Sequence, residues 1–172
     1  MQTSRPRRPE PSDLLVAAQL ASLAALAWPG RVRWALPAPV RTGAAAALAG
    51  GLAVVAASGA RLGEGLTPRG APPPDAVLRT DGPYAVSRHP LYAGLLVAAT
   101  GAAVLRSRPA PLVALALLSG VLHVKAGAEE RELRRRFGAA YDTYAARTPR
   151  LLPVPAAIGP VALRSTASRS RR

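Results

Sequence analysis

Apolar positions along the chain fall into four runs, divided by short polar or proline-rich segments. The first, Leu14 to Trp28, is short for a membrane span but extensible at either end. The second, Gly43 to Ala60, carries no charge and holds Gly43, Gly50, Gly51 and Gly59, small residues that suit a close helix contact. The third runs from Pro90 to Leu105 and the fourth from about Ala110 to Val124. Only "RSRP" separates these two, which predicts a tight antiparallel hairpin. Beyond Val124 the pattern becomes amphipathic. Leu133, Phe137, Tyr141 and Tyr144 recur at helical spacing among charged residues, as expected of a packing stripe on a helix that continues into water.

The segments between the runs set the organisation. Residues 1–13 form a basic arm broken by prolines, expected to be disordered. Residues 14–60 hold two transmembrane helices, and a basic start with "ALA" at 25–27 also lets the first pass for a signal peptide. Residues 61–153 hold a loop, the hairpin and the water-facing helix, and 154–172 are a basic tail. Three consecutive prolines, Pro72 to Pro74, rule out a helix through the 61–89 loop. The fold class expected is an all-α integral membrane protein of about four transmembrane helices. Its C-terminal hairpin extends into a cytosolic amphipathic helix.

Composition sharpens this picture. Apolar residues reach 49% while aromatics are only 4%, a balance that packs poorly in a soluble core but suits helices against lipid. The formal charge of +14 raises the prospect of nucleic-acid binding. The arginines, however, collect between and beyond the apolar runs, as in membrane proteins. Their bias places both termini, the central loop and the amphipathic helix in the cytoplasm of a multi-pass cell-membrane protein, although Arg31, Arg33 and Arg41 fall on the other side. No cysteine is present, so disulfides, thiol catalysis and cysteine-ligated zinc are excluded. Two distant histidines make a poor metal site, and no metal is expected. Phosphate-binding glycine loops and nucleophile elbows are also missing.

The candidate chemistry gathers in two places. In "SRHP", Pro90 fits the first turn of a helix, so Arg88 and His89 stand at its positive mouth, where an anion is favoured. Tyr84 and Tyr92 flank it with ring faces. These residues equally fit an interfacial belt anchoring a span. In "AEERE", neighbouring carboxylates point about 100° apart on a helix, so Glu129 and Glu130 are not expected to share a site. Glu129, nearer the membrane, is expected to turn inward, whereas Glu130 and Glu132 suit ion pairs with Arg134 and Arg136. His123, in the fourth run, reads as an interfacial histidine.

Taken together, "GPYAVSRHPLYAG" and the later "EERELRRRFGAAYDTYAARTPRLLP" resemble the isoprenylcysteine carboxyl methyltransferase family, relatives of the phospholipid methyltransferases. With its lead-in "LTPRGAPPPDAVLRTDGPY", the resemblance covers about residues 66 to 153. It implies a membrane methyltransferase that uses S-adenosyl-L-methionine. The implied cofactor contacts are Ala76, Val77, Leu78 and Arg79 in the loop, Tyr84 in the turn, His89, Pro90, Leu91 and Tyr92 after it, and Glu129. Arg88, at the same helix mouth, joins this set. Lys125 stands where the family carries an arginine that orients the methyl acceptor, and Ala76 where eukaryotic members carry a histidine. A lysine's point charge implies looser carboxylate recognition than a guanidinium fork. The implied partners are membrane lipid and a lipophilic acceptor: a prenylcysteine-like carboxylate, or a lipid amine or hydroxyl. A membrane reductase of sterol-reductase type using NADPH, and a non-catalytic scaffold protein, are the alternative readings.

Overall fold

The computed structural model describes residues 10–29, 33–63 and 77–151. Among them are six helices and no strand: α1 (Pro11–Leu26), α2 (Ala38–Leu62), α3 (Pro83–Val86), α4 (Pro90–Arg106), α5 (Pro109–Phe137) and α6 (Ala139–Arg147). Proline opens most of them, since its missing N–H falls where no intrahelical partner exists. α1 adds a reciprocal cap in which the backbone N–H of Glu10 donates to Asp13 Oδ2 at 3.2 Å. α4 ends on Ser107 in the left-handed region (φ 53°), and the next helix starts two residues later. The expected hairpin is therefore present.

α2 and α5 are long and apolar enough to cross a membrane, whereas α1 and α4, of 16 and 17 residues, are shorter apolar helices. At 29 residues, α5 is about 43 Å long and outreaches a hydrocarbon core of about 30 Å. Its charged last third therefore projects past the apolar layer. Contrary to a single continuing helix, Gly138 adopts φ 50° and breaks the chain between α5 and α6. α3 also interrupts the expected loop, because Gly82 (φ 56°) and Pro83 start a single helical turn.

The helices pack in the spatial order α2, α4, α5, α1. The first two apolar helices thus make no contact with each other among the described residues. α2 and α4 approach closely because small residues meet there. An ideal Cβ on Gly51 would lie 2.6 Å from the Gly94 carbonyl oxygen, and one on Gly101 2.6 Å from Leu48 N. Gly43 and Gly50 face open space, so of these three α2 glycines only Gly51 forms the seam, with its partners on α4. Between α1, α4 and α5 the core is built from Leu26, Tyr92, Ala99, Ala103, Ala114, Leu118, Leu122 and Ala126.

Both ends of the bundle are tied. At one, Trp34 N donates to Ser107 O at 3.1 Å and Arg106 reaches Ala27 O at 3.4 Å. At the other, Arg61 from the end of α2 pairs with Asp81 at 2.8 Å. The start of α1, the start of α4 and the charged part of α5 share this second end, where the polar residues converge.

Candidate functional site

Pro90 keeps His89 out of the helical region as the cap of α4 (φ −126°, ψ 62°), as expected of a residue before proline. The imidazole is buried and lies parallel to the Tyr92 ring one turn later, with centroids 5.5 Å apart and 5° between planes. Its two nitrogens face two carboxylates. Nδ1 is 3.4 Å from Glu129 Oε2, and Nε2 is 3.5 Å from Glu130 Oε1. Nε2 is buried, and at 3.5 Å its contact with Glu130 is long for a hydrogen bond. The expectation that Glu129 and Glu130 could not share a site is therefore overturned. Two side chains on different faces of α5 can meet one group when a flat ring with nitrogens on opposite edges stands between them.

The two carboxylates differ sharply in their company. Glu129 accepts a short hydrogen bond from the Tyr92 hydroxyl and keeps 17% of its side chain exposed. Glu130, rather than Glu129, is the more deeply buried, at 1% exposure. Arg88 Nη2 lies 2.8 Å from its Oε1, while Arg150 donates from Nε at 3.0 Å and Nη2 at 2.6 Å. The forked, charge-assisted geometry of Arg150 satisfies both carboxylate oxygens. Arg134, expected as the main partner of Glu130, stands off at 3.9 Å and reaches Asp142 at 3.2 Å instead. Glu132 pairs with Arg135 at 3.2 Å.

Arg88 also donates to the Ala145 carbonyl at 2.7 Å. Its guanidinium thus bonds to both α5 and α6. Arg150 stands inside the "TPRLLP" tail, where nothing in its type or spacing singles it out. Backbone bonds fix that tail: Arg88 N donates to Pro149 O at 2.8 Å and His89 N to Arg150 O at 3.1 Å. Beyond its place in the packing stripe, Tyr144 donates its hydroxyl to the Tyr84 carbonyl at 2.6 Å and seats α3 against α6.

These surroundings move the titrations. Burial alone would lower His89, but the carboxylates of Glu129 and Glu130 outweigh it and raise the pKa above the usual histidine value. Tyr84 is raised by burial and then by the Glu129 charge, and burial is the main cause that pushes Tyr141 and Tyr144 up to about 12.

Tyr84, His89, Pro90, Tyr92, Glu129 and Lys125 thus form one cluster where α4 begins against α5. Lys125 is buried, with Nζ 5.4 Å from the Tyr92 ring centroid and 3.0 Å from Gln19 Oε1 of α1. Leu91 and Leu78 are half-buried, while Val77 and Arg79 are exposed. Ala76 lies outside the described residues.

A family model described as phospholipid methyltransferase matches residues 40–140. The chain belongs to the phospholipid methyltransferase family. This family includes the isoprenylcysteine carboxyl methyltransferases, so the resemblance carried by the two motifs holds. The match takes in α2, which lies outside the 66–153 stretch covered by the motifs. Neither the comparison with curated proteins nor that with solved structures gave a match. The protein is a methyltransferase of a membrane-bound family whose members act on lipid-type substrates.

Proposed function

We propose that this methyltransferase uses S-adenosyl-L-methionine and methylates a lipophilic acceptor at the membrane surface. The observation that carries this reading is the partly exposed carboxylate of Glu129, held by the Tyr92 hydroxyl and facing Nδ1 of the buried His89 at 3.4 Å, at the mouth of α4. The donor set fits such a cofactor. Glu129 has one oxygen held by Tyr92, which leaves acceptor capacity for an amino or ribose hydroxyl group. The first-turn amides of α4 supply the positive counterpart for the cofactor carboxylate. Arg88 contributes indirectly, by fixing Glu130 and the 149–150 segment around His89. Val77, Leu78 and Arg79 would hold the adenosine end, the part that the resemblance implies for them and for Ala76.

When bound, the cofactor supplies a methyl group on a sulfonium, a good leaving group that an acceptor atom displaces in line. The chain's residues bind, orient and exclude water. Lys125 holds the charged end of the acceptor. A carboxylate acceptor needs no general base, whereas an amine must first lose its proton. The acceptor is a prenylcysteine-like carboxylate, or a lipid amine or hydroxyl. It enters from the bilayer, and the cofactor enters from the cytoplasm, the side on which both termini are placed. The working unit spans 61–153, together with α2 packed on α4.

Calorimetry on detergent-purified protein tests the reading. S-adenosylhomocysteine should bind saturably, and Glu129→Ala should abolish binding while the protein stays folded. Failure of the folded wild type to bind it would sink the assignment, and saturable NADPH binding would replace it with a reductase.

A further inference from the structure

We propose that Gln19 of α1 is a positioning residue that holds the Lys125 ammonium away from Glu129. The inference rests on the cofactor role proposed for Glu129. It gives α1, which lies outside the residues matched by the family model, a direct part in the site.

Lys125 and Glu129 sit four residues apart on α5, the spacing at which side chains on one helix face meet. A lysine on a flexible four-carbon stem, buried beside a carboxylate, would ordinarily swing onto it. It does not do so here. Nζ donates to Gln19 Oε1 at 3.0 Å and rests over the Tyr92 ring, 5.4 Å from its centroid. Tyr92 in turn spends its hydroxyl on Glu129. One ring therefore separates the two charges, with its face toward the ammonium and its hydroxyl toward the carboxylate. Because an ammonium has only donors, the Gln19 amide must present its oxygen to it.

The consequence is a division of labour. Lys125 keeps donors for the acceptor, and Glu129, which already faces His89 and Tyr92, is not closed off by a lysine as well. An apolar residue at position 19 would release Lys125 to pair with Glu129 and compete for the cofactor's donor groups. A glutamate there would hold the ammonium more firmly and leave Glu129 alone.

The test needs no knowledge of the acceptor, because its probe is S-adenosylhomocysteine binding by the full-length protein in detergent. Gln19→Leu should weaken that binding about tenfold, the size of one charged hydrogen bond lost to a competitor. Gln19→Glu should bind within about twofold of wild type, on the same reasoning. The decisive arm is Gln19→Leu with Lys125→Met, in which affinity should return because no lysine is left to occupy Glu129. A merely structural role for Gln19 would not be rescued by a second substitution. Gln19→Ala repeats the comparison if leucine disturbs folding. Unchanged affinity in a folded Gln19→Leu or Gln19→Ala protein overturns the proposal alone, as does a loss that Lys125→Met fails to restore. No binding by the wild type removes the cofactor reading, and this proposal falls with it.

Discussion

Replacing Glu130 by glutamine tests whether the buried carboxylate ties the site together. The change preserves shape and removes one charge, leaving two arginines without their counter-ion. Arg88, only 13% exposed, keeps the Ala145 carbonyl at 2.7 Å and faces a neutral glutamine oxygen in place of the carboxylate. Arg150, at 35% exposed, can turn outward and recover hydration. Breaking a buried pair costs about 3–5 kcal/mol, and the solvent escape of Arg150 places the expected loss near the lower limit, about 3 kcal/mol. For a chain of this size that corresponds to a melting temperature lower by about 6–12 °C. The assay is thermal unfolding in detergent, with Arg150→Ala beside it. That variant should cost about 1 kcal/mol, as expected of a partly exposed partner. The loss should also free the 149–150 segment, seen as faster amide exchange at Arg88 and His89, whose N–H groups bond to it. A Glu130→Gln protein that melts within about 2 °C of wild type would refute the reasoning, since it would mean that the arginines carry no unpaired charge.

Other expectations follow from the same geometry. His89 has a folded pKa above its ordinary value of 6.5, so its stabilising charge is fully present below that value and is lost as pH rises through the folded pKa. The melting temperature should fall across that window, and His89→Gln should flatten the slope in a pH-resolved melt. Gly51→Ala should cost about 1–3 kcal/mol, because its Cβ would strike the α4 backbone. Gly50→Ala, one residue earlier and facing open space, should be neutral or stabilising by up to about 1 kcal/mol, and parallel thermal melts compare the two. Tyr144→Phe strips the hydroxyl from a buried carbonyl contact and should cost about 1–3 kcal/mol in the same assay.

Local chemistry determined much of the fold in advance. Apolar runs bounded by proline announced α1, α2, α4 and α5, and "RSRP" announced the hairpin, because helix starts and stops depend on neighbouring residues. The motif residues His89, Tyr92 and Glu129 were legible for the same reason: type and spacing are written along one strand of text. What each helix touches is not. The sequence marked Gly43, Gly50 and Gly51 alike, and only the rotation of α2 against α4 selected Gly51. Glu129 looked more inward than Glu130 until the 149–150 segment returned from beyond α6 and placed Arg150 on Glu130. Gln19 carried no signal of its own, being one amide in an apolar helix 106 positions from Lys125. Contacts of that separation depend on how helices rotate and stack, and only the folded bundle decided them.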